Sequence, residues 1–157
     1  MNAASFGADV SRLDELSATE LYALLKLRTD VFIVEQKCPY PELDGRDPDA
    51  LHLRLMQDGE LLAAARFFAP GDQSEHAKIG RVVVAPAHRG KRLGDALMRE
   101  TIAACEDRFP GHALALSAQS HLKAFYASFG FAVCSDEYLN DGIPHIDMLR
   151  PTRVAVN

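Results

Sequence analysis

The sequence predicts an α+β protein with a mixed, mostly antiparallel sheet that contains one parallel strand–helix–strand unit and is flanked by helices. "LHLRLM" and "ELLAAARFFA" surround Asp58-Gly59, a pair typical of a tight β-hairpin. "AKIGRVVVA" and "ALALSA" have the pattern of buried strands on either side of a helical stretch, which requires a parallel crossover. "FAVCSDEYL" and "HIDMLR" are predicted to close the chain as an antiparallel pair around Asp141-Gly142.

The first helix is predicted in "SATELYALLKLRTDVF", where Ser17 and Glu20 have the spacing of a capping box. The loop that follows, residues 35–50, is too rich in proline, glycine and aspartate for regular structure. Its length is equally consistent with a functional loop and a surface excursion. Beyond the hairpin, Pro86 ends the strand "AKIGRVVVA".

Two later helices complete the predicted order of elements. One runs from about Lys91 to Phe109 with an apolar face, and "SHLKAFYASFG" forms the other, capped by Ser120 and ended by Gly130. We expect residues 1–157 to form one domain with a core of about residues 17–150.

Composition restricts the classes of partner. The net charge of −5 argues against general nucleic-acid binding and gives no attraction to an anionic membrane. No apolar run approaches the ~20 residues of a membrane span, and the first residues lack the pattern of a secretion signal. Three widely spaced cysteines indicate reduced thiols in a cytoplasm, and no spacing of cysteines or histidines predicts a metal site.

The stretch "HRGKRLGDAL" predicts an anion-binding loop at a helix start. Gly90 and Gly94 allow close approach to backbone amides whose dipoles attract phosphate, and Arg89, Lys91 and Arg92 add positive charge. The spacing fits neither a nucleoside triphosphate loop nor a dinucleotide fingerprint. By itself, the stretch also fits a solvated basic turn.

With "RVVVAP" before it, this stretch resembles the central motif of the GCN5-related N-acetyltransferases, Arg/Gln-x-x-Gly/Ala-x-Gly/Ala. In that family the motif's amides hold the pyrophosphate of acetyl-CoA and the preceding strand pairs with the pantetheine arm. Arg89 matches the first position and Gly94 the last, whereas Arg92 stands where the family prefers a small residue, although only its amide is needed there. The cofactor-binding residues that the resemblance implies are Val82, Val83, Val84, Arg89, Gly90, Lys91, Arg92, Leu93, Gly94 and Asp95.

Further phrases extend the resemblance over residues 17–150. "LKAFYASFGF" is similar to the family's late helix, which assigns Tyr126 as the acid that protonates the leaving thiolate. The alternative is that Phe125, Tyr126 and Phe129 are simply an aromatic core face. "LRTDVFIVEQKCPYPELDGRDPDALHL" and "YLNDGIPHIDM" resemble the ElaA-like branch, which implies an acyl-CoA N-acyltransferase fold and a possible homodimer but no acceptor.

The general base is less defined. Alternation along "HIDMLR" places His145 and Asp147 on the face opposite Ile146 and Met148, where they could share a pocket or simply face solvent. A water relay would need no single base. The full set of candidate bases comprises Glu35, Glu42, Asp44, His52, His145 and Asp147.

Three other side chains have open roles. Arg66 and Arg81 lie in apolar strands, so each is predicted either to pair with a carboxylate such as Glu35 or Asp147 or to bind an acidic group of the acceptor. Cys38 could in principle be a nucleophile, but no histidine stands at a recognised spacing.

These features favour an N-acetyltransferase that passes acetyl directly from acetyl-CoA to a primary amine on a small molecule or peptide. The alternatives are a non-catalytic acyl-CoA-binding or regulatory module and an enzyme that binds a nucleotide phosphate.

Overall fold

A computed structural model describes residues 6–71 and 74–152. In this part of the chain eight strands form one sheet in the order β1-β2-β3-β4-β5-β8-β6, with β7 also paired to β8. β4 and β5 are parallel, and the other pairs are antiparallel. The predicted α+β class is confirmed. The strands are β1 (Gly7–Arg12), β2 (Leu51–Gln57), β3 (Glu60–Phe68), β4 (Ala77–Val84), β5 (Leu114–Gln119), β6 (Ala132–Val133), β7 (Tyr138–Asn140) and β8 (Ile143–Arg150).

The helices are α1 (Ala18–Thr29), α2 (Leu93–Arg108) and α3 (Lys123–Ala127). The capping box that opens α1 is confirmed: the Glu20 amide donates to Ser17 Oγ at 3.1 Å, and the Ser17 amide donates to Glu20 Oε1 at 2.8 Å. A π-helical segment, Asp30–Glu35, continues α1 where the sequence predicted helix and then loop. No helix in the described ranges is both long enough and apolar enough to cross a membrane.

Three sequence predictions need correction. β1 was missed because it is a short edge strand with no buried residue and hence no apolar face. "FAVCSDEYL" forms two short strands, β6 and β7, rather than one. The helix predicted from Ser120 is a 3₁₀ turn followed by α3, and the buried Ser120 hydroxyl finds no partner among the described residues instead of capping it. Gly130, with φ of 93°, does terminate that segment, because its amide donates to the Ala127 carbonyl.

The sheet is covered on both faces. The larger core packs one face against α2 and α3, and β4 contributes Ile79 to it. A smaller cluster joins the other face to α1, and β4 contributes Val83 to that cluster. Because Ile79 and Val83 are four residues apart, simple alternation would place them on the same face. The strand must therefore change register between them.

A β-bulge at Arg81 makes that change. Val83 pairs with Ala64 and Gly80 pairs with Arg66, so Arg81 and Val82 together oppose the single residue Ala65. Arg81 itself takes a left-handed conformation with φ of 51°. The bulge therefore lies one residue beyond Gly80.

β4 and β5 separate just before this bulge. Their parallel pairing covers residues 77–79 of β4 and residues 114–116 of β5. From Gly80 onward, the β5-facing edge of β4 is unpaired, which leaves a gap in the middle of the sheet.

Candidate active site

A cavity of about 450 Å³ follows the gap between β4 and β5. This volume lies within the range of about 300–1,000 Å³ that small-molecule sites occupy. Val82–Val84 form one wall, Arg89 stands at one end, and Tyr126 and His145 lie on the opposite side of the gap. The remaining predicted cofactor residues follow Arg89 outside the lining, in the loop and first turn of α2.

The glycine loop has the geometry of an anion cradle. Gly90 (φ 83°) and Arg92 (φ 58°) are both left-handed, and Arg92 is the N-cap of α2. The first N–H groups of a helix have no intrahelical acceptor, so the amides after Arg92 are available to a ligand. The side chain of Leu93 is buried in the core, which leaves only its amide for this purpose.

The conformation of Arg92 explains why a small residue is preferred at this position of the motif. A left-handed backbone costs a residue with a Cβ atom about 1–2 kcal/mol, and glycine avoids this cost. The Arg92 side chain is exposed, so it does not cover the amide beneath it. Gly94 differs, because a Cβ atom there would lie 3.5 Å from the Phe125 ring, an ordinary contact that alanine would also make.

On the resemblance to the acetyltransferases, which places the phosphates of the donor at this loop, Gly90→Asp is expected to weaken acetyl-CoA binding at least about tenfold, because it adds a negative charge there. The space itself is open, since an added Cβ atom would meet nothing within 4 Å. Isothermal titration with acetyl-CoA measures the effect. Gly90→Asn is the matched control, because asparagine has the same shape and tolerates the left-handed backbone. Equal affinities for the two variants would remove the charge argument and place the pyrophosphate elsewhere.

A two-point ion pair holds Arg89. Its two terminal nitrogens donate to the two Glu35 carboxylate oxygens, each at 2.6 Å. The Arg89 hydrogen bond lowers the pKa of Glu35, so this side chain is a poor general base. The π-helical segment that ends at Glu35 brings the carboxylate to the mouth of the cavity.

Glu35→Gln is expected to tighten acetyl-CoA binding by no more than about fivefold, because Arg89 is then free to meet a phosphate and exposed ion pairs are weak. Titration calorimetry at low and high salt measures the gain, which salt should reduce. Weaker binding by the variant would show instead that Glu35 orients Arg89 for the cofactor.

Tyr126 lies beneath the gap with its side chain 7% exposed. Burial raises the pKa of its phenol to about 12, so the hydroxyl keeps its proton at neutral pH. The ring packs edge-on against Phe125 and Phe131, and the side chain lines the cavity. Tyr126 is therefore part of the aromatic core and also lines the cavity.

His145 and Asp147 share a face as predicted, but only His145 lines the cavity. His145 Nδ1 lies 2.8 Å from the Ile143 carbonyl oxygen, which can only accept, so Nδ1 is the donor and the lone pair of the neutral ring is on Nε2. Asp147 instead accepts hydrogen bonds from the hydroxyls of Ser117, at 2.9 Å, and Tyr138, at 2.5 Å.

Arg66 and Arg81 meet carboxylates, although not the expected ones. Arg66 donates to Asp44 at 2.6 Å and to Asp47 at 2.9 Å. Arg81 donates to Glu42 at 2.8 Å. The partners all come from loop 35–50, which folds over the sheet. Because Glu42 and Asp44 are engaged in these pairs, neither is a free base.

Arg28 completes this network from α1 and was missed as a functional candidate. It is 1% exposed and donates to Glu42 at 2.7 Å and to Asp47 at 2.8 Å. In the sequence, Arg28 continues the apolar spacing of α1. A cation at a buried position is costly unless it is paired, so this spacing could have predicted a buried ion pair. Asp47 is tied down further because its carbonyl lies 2.9 Å from His52 Nε2, and burial lowers the pKa of that histidine.

Cys38 lies in the cavity wall with its Sγ 3.4 Å from the Asp141 carbonyl oxygen. No histidine within the described ranges bonds to it, so no activated Cys–His pair is present there. The same ranges contain no cluster of residues that could hold a metal ion.

The model of the GNAT acetyltransferase domain matches residues 18–150. The chain belongs to the GNAT acetyltransferase family. It is 46% identical over 138 residues to protein ElaA of Escherichia coli, covering 87% of this chain and 90% of that protein. The crystal structure of an acyl-CoA N-acyltransferase from Pseudomonas aeruginosa matches with a TM-score of 0.88 and 45% identity, covering 93% and 99% of the two chains. The crystal structure of E. coli ElaA matches with a TM-score of 0.86 and 42% identity, covering the same fractions.

Membership in the GNAT family supports an acyltransferase that uses an acyl-CoA donor. Arg92 is the departure of this chain from the family motif, and it takes a left-handed backbone as the N-cap of α2.

Proposed function

We propose that this protein transfers an acetyl group from acetyl-CoA directly to a primary amine on a small molecule or peptide. The observation that carries the proposal is the single cavity that runs from Arg89, along the unpaired edge of Val82–Val84, to Tyr126 and His145. A pantetheine arm can pair with the free β4 backbone as an added strand would. Its pyrophosphate then reaches the amides of residues 90–95.

The residues present can move both protons of the reaction. The amine nitrogen attacks the thioester carbonyl carbon, a C–N bond forms, and collapse of the tetrahedral intermediate breaks the C–S bond. His145 Nε2 takes the proton that the amine loses, directly or through one water. Tyr126 gives its proton to the leaving thiolate and recovers one from solvent. No acyl-enzyme is needed, so Cys38 has no part in the chemistry.

We further propose a cytoplasmic location. All three cysteines are free, including the exposed Cys134, which is the expected state in a reducing compartment where coenzyme A is available.

Titration with acetyl-CoA together with a thiol-release assay over a panel of amines tests the proposal. We expect saturable binding and amine-dependent release of coenzyme A. Binding without turnover on any amine, amino acid, polyamine or peptide would favour a non-catalytic acyl-CoA module. Binding of ATP or NAD that acetyl-CoA does not displace would favour a nucleotide-phosphate enzyme.

A further inference from the structure

Arg46 and Lys78 are among the cations that line the cavity at the end remote from the glycine loop. Lys78 is the second residue of β4, and Val84, six residues later, ends the strand. At about 3.3 Å per residue, these positions lie roughly 20 Å apart along the strand. The phosphates of coenzyme A, held beyond Val84, therefore leave Arg46 and Lys78 without an anion.

Phe68 lies next to both Arg46 and Lys78. It pairs directly with Lys78 across β3 and β4, so the two side chains share a face of the sheet. The Arg46 guanidinium lies over the Phe68 ring, with 4.5 Å between the guanidinium carbon and the ring centre. Stacking on an aromatic ring fixes the plane of a guanidinium and leaves its edge free to bind a carboxylate or phosphate with two parallel hydrogen bonds.

The neighbouring charges are already matched. Arg28, Arg66 and Arg81 share three carboxylates, Glu42, Asp44 and Asp47. At the other end of the cavity, Arg89 forms an ion pair with Glu35. Arg46 and Lys78, by contrast, make no ion pair with any residue in the ranges 6–71 and 74–152. Arg46 Nε is also buried without a hydrogen-bond partner in those ranges.

We propose that the acceptor amine carries an anionic group, a carboxylate or a phosphate, which Arg46 and Lys78 bind while the amine faces the thioester. This inference rests on the proposed function, and it narrows the acceptors to acidic amines. Phe68 supplies an apolar floor beside the anion, and Arg66, 5.1 Å from the same ring, strengthens the positive field.

A matched panel of acceptors tests the proposal. The ω-amino acids from glycine to aminohexanoate are each assayed beside the corresponding neutral amide, and aminoethyl phosphate is assayed beside ethanolamine. At the best chain length, we expect the anionic member to have a KM at least about tenfold lower, since hydrogen bonds to charged groups are strong. In Arg46→Gln/Lys78→Gln this advantage should vanish, because the KM of the anionic member should rise to that of its neutral amide.

Arg12→Gln/Lys26→Gln is the matched control, because it removes the same charge from exposed side chains that do not line the cavity. It should retain the full preference for the anionic member. Circular dichroism and thermal melting of all variants separate a folding defect from a binding defect. A wild-type enzyme that treats anionic and neutral members alike, or a double variant that keeps the preference, overturns the proposal.

A binding experiment separates this proposal from the proposed function. N-acetylaminobutanoate and N-acetylaminobutanamide, which resemble products and need no turnover, are titrated into the protein saturated with coenzyme A. Tighter binding of the acid, lost in Arg46→Gln/Lys78→Gln, supports the anion site even where no amine is acetylated. Equal binding of the two compounds contradicts it even where acetylation is observed.

Discussion

Tyr126→Phe is expected to lower kcat for acetyl transfer by about a hundredfold or more, because general-acid catalysis typically contributes a factor of 10²–10⁴. The change removes one buried hydroxyl and keeps the ring that packs against Phe125 and Phe131. The Kd of acetyl-CoA should stay within about twofold, since binding depends on the loop and on β4. Steady-state thiol release and titration calorimetry measure the two quantities.

Tyr22→Phe is the matched control for this result. Tyr22 is 71% exposed on α1, so loss of its hydroxyl should alter neither kcat nor stability. A normal kcat for Tyr126→Phe would remove the phenol from the mechanism and leave protonation of the thiolate to water. A reduced kcat with an equally reduced acetyl-CoA affinity would indicate a structural defect instead.

Arg28→Met is expected to lower the free energy of unfolding by about 3–5 kcal/mol, the range found when one partner of a buried ion pair is removed. The variant leaves Glu42 and Asp47, both nearly inaccessible, facing the vacated space. Urea denaturation followed by circular dichroism measures the loss. Because loop 35–50 carries these carboxylates, we also expect it to become sensitive to proteolysis.

Lys26→Met provides the comparison, since Lys26 pairs with Asp30 on the exposed side of the same helix. This variant should change stability little, because surface ion pairs contribute little. If Arg28→Met were no less stable than Lys26→Met, the buried network would not be what holds the loop on the sheet.

The parts of the fold that follow from local pattern were predictable. The capping box of α1, the hairpin at Asp58-Gly59 and the parallel unit around the glycine loop each depend on short-range spacing, and each is present. β1 was not predictable, because an edge strand without buried residues shows no apolar alternation.

Long-range pairing explains the other differences. Their position in apolar strands predicted that Arg66 and Arg81 meet either a carboxylate of this chain or an acidic group of the acceptor. Which carboxylates they meet depends on how loop 35–50 folds back. Alternation similarly placed His145 and Asp147 together, but it could not predict that Ser117 and Tyr138 would both donate hydrogen bonds to Asp147. The left-handed backbone of Arg92 was not predictable for a different reason, since arginine gives no sequence signal for it.

A crystal structure of the protein with acetyl-CoA tests most directly whether the gap between β4 and β5 is the donor site. We expect the pyrophosphate on the amides of residues 90–95, the pantetheine arm paired with Val82–Val84, and the sulfur within hydrogen-bonding reach of the Tyr126 hydroxyl. Acetyl-CoA bound with its pyrophosphate away from this loop, or with its thioester outside the gap, would show that the gap is not the donor site.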